Sequence, residues 1–397
     1  MTSLDQLIAT RKTLICVGPG GVGKTTTSAA LALRAATLGK RTLVLTVDPA
    51  HRLANSLGLA RFEKEEQPIS PELFDLAGVP RGAPLFAMML DTKRTFDGVV
   101  ERYAPTPEVK ARILGNPFYR QASTRLAGSQ EYMAMEKLYE LHSAGRYDLI
   151  VLDTPPTVHA LDFLDAPSRL DEFMSQSLSG LVGRSTRTLG RIGLGFLRAN
   201  SVILRGIGRF VGTDFFVDVV DFLQDFSEMY TGFKSRAGAV KRLMRSDEVA
   251  FVVLTGPESA SLDEGLYLTE RLRAETMPFG AFVVNRVRRS FGHTGDALRA
   301  DLRQALTAAP ALRAEPPVVL GHTADAVADA VSAYEVLVRR DAAAIATLDA
   351  RLPGESIVVV PDFDEDVHDL AGLYRYGGHL AGQGVQASRH PGVQAAG

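Results

Sequence analysis

Eight residues constrain this chain more than any others: Gly18-Pro19-Gly20-Gly21-Val22-Gly23-Lys24-Thr25. The apolar run Leu14-Ile15-Cys16-Val17 precedes them, and a helix-prone run from Thr26 to Ala36 comes after. Strand, glycine-rich turn and helix is the setting in which the pattern G-x-x-x-x-G-K-[ST] forms a phosphate cradle. Glycines let backbone N–H groups close around phosphate oxygens with no Cβ in the way. The helix N-terminus adds the positive end of its dipole. The residues expected to form the cradle are Gly18, Gly20, Gly21, Val22, Gly23, Lys24, Thr25 and Thr26. Lys24 is expected to reach the β- and γ-phosphates of a nucleotide, and the Thr25 hydroxyl to face Mg²⁺.

Farther along, Arg41 to Val47 reads as a buried strand that ends in Asp48-Pro49-Ala50-His51-Arg52. An acid at the carboxyl end of a parallel strand stands where open α/β sheets place ligands. Asp48 also suits a turn or helix cap before Leu53, but beside a phosphate loop the ligand role is preferred. Leu85 to Leu90 is a third strand, and Lys93 to Ala144 turns helical with a break at Gly115-Asn116-Pro117. Met133, Met135, Leu138 and Leu141 recur at near-helical spacing and read as core packing. Asp148-Leu149-Ile150-Val151-Leu152-Asp153 is a strand with an acid at its end, suited to Mg²⁺ or to the attacking water. Thr154-Pro155-Pro156-Thr157 comes next, held extended by its prolines. His159 reads as a hydrogen-bonded structural histidine.

The stretch from Leu164 to Met244 differs. Between Phe173 and Thr213 it has no acid and six arginines, Arg184, Arg187, Arg191, Arg198, Arg205 and Arg209. Such basic amphipathic helices suit a membrane surface, a hydrophobic client or an RNA backbone; a helical subdomain with solvated arginines fits them too. Strands resume at Val249 to Leu254 and Gly280 to Arg286, and further strands are expected at Pro317 to Leu320 and Ile357 to Val360. The Asn285 side-chain amide, at a strand end, matches the paired donor and acceptor of an adenine edge. His379 to Gly397 has no periodicity and reads as a disordered tail.

Composition narrows the classes. A net charge of -2 over 397 residues gives no global reason to expect nucleic acid. The one cysteine, Cys16, excludes an intrachain disulfide and reads as a small buried apolar residue. Met1 to Lys12 lacks the apolar core of a signal peptide, and no apolar run is long enough to span a membrane. A cytoplasmic protein without an integral membrane segment is expected.

These motifs, in this order, resemble the ArsA-type anion-transporting ATPases and their relatives that target tail-anchored membrane proteins. Gly18 to Thr26 resembles the family's phosphate loop, and Asp48-Pro49-Ala50-His51 its first switch. Asp153-Thr154-Pro155-Pro156-Thr157-Val158-His159 resembles its second switch, and Val283-Val284-Asn285-Arg286 its adenine-reading strand end. With Glu131-Tyr132-Met133-Ala134-Met135-Glu136 and the Pro-Pro switch, the single-loop bacterial branch is most similar. The resemblance implies a mostly parallel, doubly wound P-loop α/β sheet with an inserted helical subdomain. It implies ATP and Mg²⁺, with Lys24, Asp48 and Asp153 catalytic, Asp48 orienting the attacking water. Thr25, Asp48 and Asp153 would serve the metal, and Pro155, Asn285 and Arg286 would join the nucleotide site.

The resemblance also implies a division of the chain, with 1–92, 145–163 and 246–378 in the ATPase core and 93–144 as a helical insertion. It places 164–245 in a helical client or partner region, and 379–397 in the tail. Family members work as nucleotide-gated dimers or fused halves, so this chain with its one loop is expected to be one half, in a homodimer or a heterodimer. Two departures matter. The family's loop usually carries lysine at its second position, reaching the partner's nucleotide; here it is Pro19. The paired cysteines of the zinc-clamped members and those that bind arsenite are missing, so neither zinc nor arsenite pumping is expected. The expected output is handling of a hydrophobic or membrane-linked client. Alternatives are a spatial switch on membrane or nucleoid, and a regulatory subunit of low turnover.

Overall fold

Four strands of this chain carry no residue at the surface, and they form the middle of one sheet. They are Thr13–Val17 (β1), Thr42–Thr46 (β2), Leu149–Asp153 (β5) and Val249–Thr255 (β6). Near-continuous apolar strands are what a parallel sheet covered on both faces requires. Gln67–Pro68 (β3), Leu85–Met89 (β4), Phe279–Val287 (β7) and Ile357–Pro361 (β8) complete an eight-stranded sheet of order β3-β4-β2-β5-β1-β6-β7-β8. Every pairing is parallel except β3 with β4. β3 is two residues long and ends in Pro68, which has no N–H to offer a further strand, so that edge is blunted. The computed structural model describes residues 3–48, 52–59, 66–125, 129–155, 213–292 and 295–382.

The helices in order are α1 (Ser3–Thr10), α2 (Lys24–Thr37), α3 (Arg52–Ser56), α4 (Pro71–Leu76), α5 (Thr92–Tyr103), α6 (Pro107–Gly115), α7 (Pro117–Arg125) and α8 (Ser129–Ala144). Then come α9 (Thr213–Met244), α10 (Ser259–Ala274), α11 (Gly295–Ala308), α12 (Pro317–Arg351) and α13 (Leu370–Leu380). Apolar side chains divide between two clusters, one on each face of the sheet. On one face α2 is buried nearly all round, because Ala29, Ala30, Ala32, Ala35 and Ala36 are small enough to let it lie between sheet and α13. On the other face α8, α9 and α10 cover the sheet.

The helices before β5 and the helix before β6 form one layer. An aromatic chain joins them: Phe96 to Tyr119, Tyr119 and Phe118 to Phe222, Phe222 to Phe226, Phe226 to Phe233, and Phe233 to Tyr132, with ring centroids 5.3–6.0 Å apart. Edge-to-face, tilted and stacked pairs of this kind add to the apolar burial of the rings. Glu136, 1% exposed, is held inside the layer by Arg236, whose Nε donates to its carboxylate at 2.8 Å. The helical break expected at Gly115-Asn116-Pro117 falls between α6 and α7, where Asn116 accepts the Tyr119 N–H.

Two expectations are corrected. Pro317 to Leu320 is not a strand; it begins α12. A short apolar run does not distinguish strand from helix, and the residues after it decide. Leu320, Ala324 and Ala328 are buried at four-residue spacing, and proline suits a first helical position. At 35 residues α12 is about 52 Å long. Its first half pairs with α11, joined by Arg299–Asp329 at 2.5 Å and Arg303–Asp325 at 2.8 Å. The tail does not begin at His379, because α13 runs to Leu380, with Leu373, Tyr376 and Leu380 buried against the α2 face. Residues 383–397, the arginine-rich stretch 173–212, and His51, Pro156, Thr157 and His159 of the two expected switches lie outside the described residues. Among the described residues, no helix is long and apolar enough to cross a membrane.

Candidate active site

Strand parity decides which side chains reach the phosphate loop. Successive strand residues face opposite sides of a sheet. Cys16, Val44, Val151 and Val283 all point to the α2 face. Two residues on from the last three stand Thr46, Asp153 and Asn285, on that same face at the carboxyl ends of β2, β5 and β7. β1 lies between β5 and β6, and the chain winds away from it in both directions. This is the switch point at which such sheets bind ligands, and Gly18 to Gly23 fills it.

The loop has room for nothing larger than glycine at two positions. A Cβ on Gly18 would overlap the Leu254 carbonyl oxygen. Gly23 has φ +93°, and a Cβ there would strike the Asn285 amide. Gly23 starts α2 with no side-chain cap, so the first-turn N–H groups remain for an anion. Gly20 and Gly21 are exposed, Val22 is buried, and Thr25 and Thr26 are half-buried. Lys24 is 6% exposed, and its ammonium donates to the Gly18 and Pro19 carbonyls at 2.9 and 2.8 Å. Those are contacts to the loop's own backbone, which a phosphate oxygen can replace. Burial lowers the Lys24 pKa, and the nearby Asp153 carboxylate works against that shift.

Asp153 is the centre of the polar cluster. It is fully buried, and its Oδ2 accepts from the Thr25 and Thr46 hydroxyls, each at 2.8 Å. Its Oδ1 is buried with no hydrogen-bond partner. Burial pushes its pKa up to about 6, against the two hydroxyls and the Lys24 charge. The Asp48 N–H donates to Thr46 Oγ1 at 3.2 Å, which places the half-buried Asp48 beside the same cluster. β2 and β5 are also joined at their carboxyl ends through backbone, Val47 N–H to the Asp153 carbonyl at 3.3 Å. Asn285 Nδ2 donates to the Val22 carbonyl at 2.9 Å, so the strand end touches the loop itself. Pro155 is buried just past Asp153, while Arg286 is exposed with φ +60°. Lys24, Thr25, Asp48, Asp153 and Asn285 are therefore brought together, and the Arg286 side chain is not buried with them.

The residues fit a Mg²⁺ ion. Thr25 spends its hydrogen on Asp153, which leaves its oxygen lone pairs open to a hard cation. The unpartnered Asp153 Oδ1 is an acceptor awaiting a donor such as a metal-bound water. Among the described residues there is no cluster of three His, Cys, Asp or Glu side chains; a magnesium ion on a nucleotide needs only one or two protein oxygens besides phosphate and water.

Several contributors carry no motif in the sequence. Thr46 sits in an apolar run with nothing to mark it. Gln130, on α8, donates to the Val47 carbonyl at 3.1 Å. Thr154 donates to the Cys16 carbonyl at 2.7 Å and fixes the segment after β5 against β1. The Tyr376 hydroxyl meets Thr27 at 2.8 Å and ties α13 to the loop helix. A separate cavity of about 540 Å³, lined by Arg289, Phe363, Val367, Arg375 and His379 among others, takes none of its lining from the loop.

Residues 11–291 match the family model described as anion-transporting ATPase. The chain belongs to that family. It is an ATPase with the α/β architecture of P-loop enzymes. It is similar to ATPase GET3 of Malassezia globosa, 29% identical over 269 residues, which cover 68% of this chain and 69% of that protein. It is also similar to ATPase ARSA1 of Chlamydomonas reinhardtii, 28% identical over 302 residues. That match covers 70% of this chain but 35% of the algal protein. A putative arsenical pump-driving ATPase of Chlorobaculum tepidum is 34% identical over 157 residues, 40% of this chain and 36% of that one. The family match ends just beyond β7, so α11, α12, β8 and α13 lie outside it.

The buried acid of this ATPase has a pH signature. The folded pKa of Asp153 lies above that of an unfolded aspartate, so its charge burdens the fold above pH 6 and not below pH 4. Asp153→Asn in EDTA, without nucleotide, is expected to gain about 1–3 kcal/mol at pH 8 and much less at pH 4.5. Urea unfolding at the two pH values measures both. Equal gains at both would remove the burial account of this acid.

Proposed function

We propose that ATP hydrolysis at this loop drives a dimer between open and closed forms, and that the cycle handles a hydrophobic or membrane-linked client in the cytoplasm. The observation that carries the reading is the shared polar cluster. Thr25 of the loop, Thr46 beside Asp48 of the first switch, and Asp153 of the second are joined by hydrogen bonds of 2.8–3.2 Å. A change at the phosphates therefore reaches both switch segments. The second of these leads in sequence to the basic, apolar stretch and then to α9, which packs into the helical layer.

In this reading Lys24 and the α2 N-terminus hold the phosphates. A bound Mg²⁺ would neutralise charge on the outer phosphates, with Thr25 and Asp153 holding it. Asp48 orients the attacking water by accepting its hydrogen. Asn285 leaves the Val22 carbonyl or shares its amide with the base. Phosphoryl transfer asks little more of a protein than such positioning and charge stabilisation. Cys16 gives no support to an arsenical role: it is fully buried, and burial raises its thiol pKa to about 12. A thiolate ligand is not on offer there.

Pro19 supports a partner of a particular kind. Proline brings neither charge nor N–H, so this loop gives no cation to a neighbouring site. A cation supplied in trans can be worth ~10³–10⁵ in rate where one acts. The reading favours a heterodimer with a related chain that keeps a lysine at this position. The purified chain alone is expected to turn over slowly, and Pro19→Lys to raise its steady-state ATPase rate at least tenfold. A chain that turns over briskly alone, unaffected by Pro19→Lys, would leave a homodimer with a different trans group. Crosslinking and mass spectrometry of the Asp48→Asn form in cells would identify the partner and client.

A further inference from the structure

We propose that Thr46 is a positioning residue for ATP hydrolysis, setting the two switch acids relative to each other. The inference rests on the assignment of Asp48 and Asp153 above. Thr46 is 1% exposed at the last position of β2. Its hydroxyl acts in both directions. It donates to Asp153 Oδ2 at 2.8 Å and accepts the Asp48 N–H at 3.2 Å.

The Asp153 contacts show why this matters. Oδ2 receives two hydrogen bonds, from Thr25 and Thr46, and Oδ1 receives none. Two donors converging on one oxygen fix the rotation of the carboxylate and hold Oδ1 out as the free acceptor. Thr25 alone leaves the carboxylate able to swing about its terminal torsion, which has a broad minimum. At the same time the Asp48 backbone loses its acceptor, and the first switch loses its side-chain tie to the second. The hydrogen bonds of the Thr46 hydroxyl run to the two switch acids, whereas Lys24 and Asn285 bond the loop backbone, so its loss falls on the hydrolytic step and spares nucleotide binding.

Thr46→Val keeps the shape and removes the hydroxyl; Thr46→Ser keeps the hydroxyl. Hydrogen bonds to a charged group convert to about 10–100-fold in rate. With Mg-ATP, Thr46→Val is expected to lower kcat by about 10–100-fold, with KM within about threefold of the parent. Thr46→Ser is expected to restore kcat to within about threefold. Binding of a fluorescent ADP analogue in EDTA serves as the control and is expected to be unchanged in both.

Asp48→Asn is measured alongside. If Thr46→Val turns over at the parent rate while Asp48→Asn does not, the Thr46 role is wrong and the site stands. If Asp48→Asn turns over normally, the first-switch assignment fails instead. Loss of ADP binding in Thr46→Val, or no rescue by Thr46→Ser, would show a merely structural residue and overturn the proposal.

Discussion

Lys24→Ala is expected to abolish measurable ATP binding, with affinity lowered by at least about 100-fold. The ammonium is the cation that α2 brings to the loop, and only 6% of the residue is exposed. A charged donor to a phosphate oxygen is worth ~1.5–3 kcal/mol per bond, and an ammonium offers three. The same ammonium donates to the Gly18 and Pro19 carbonyls and offsets the Asp153 charge. Alanine therefore also leaves Asp153 harder to ionise, which removes a second feature of the site. Titration calorimetry with ATP and Mg²⁺ measures the loss, and a melting curve shows that the variant is folded. Wild-type affinity in Lys24→Ala would remove the loop from the nucleotide site.

Asp48→Asn is expected to do the opposite, binding ATP within about threefold of the parent and hydrolysing it about 10²–10⁴ times more slowly. That is the range a positioned general base supplies. The amide matches the carboxylate in shape but is a poorer acceptor for the hydrogen of the attacking water. The Asp48 N–H bond to Thr46 is a backbone contact and survives the substitution. The effect is thus confined to the side chain. Phosphate release in single turnover, with calorimetry on the same preparation, separates the two quantities. Near-normal release would remove Asp48 from the reaction.

The sheet is legible in the sequence because its central strands are buried on both faces. Leu14 to Val17, Leu43 to Leu45 and Leu149 to Leu152 are apolar without alternation, and the acids after β2 and at the end of β5 mark where those strands stop. The same reasoning misleads at Pro317 to Leu320, where four apolar residues open a helix instead. Only the spacing of Leu320, Ala324 and Ala328 distinguishes the two, and it lies mostly beyond the apolar run itself. Thr46 shows a different limit. Its role depends on β2 lying beside β5 in register, Thr46 opposite Asp153, and 107 residues separate them in sequence. The Asn285 contact to Val22 spans 263 residues and likewise depends on strand order. Motifs identify residues that act through their own chemistry; residues that act by holding another carry no local mark.

A nucleotide-driven cycle requires that nucleotide state reach the helical layer. Hydrogen exchange of the whole chain, with Mg-ADP and with Mg²⁺ and a non-hydrolysable ATP analogue, measures this peptide by peptide. Protection of the peptides from Leu170 to Phe233, including the first half of α9, is expected to differ between the two states. The central strands β1, β5 and β6 should not change. Identical protection of the Leu170 to Phe233 peptides in both states would contradict such a cycle.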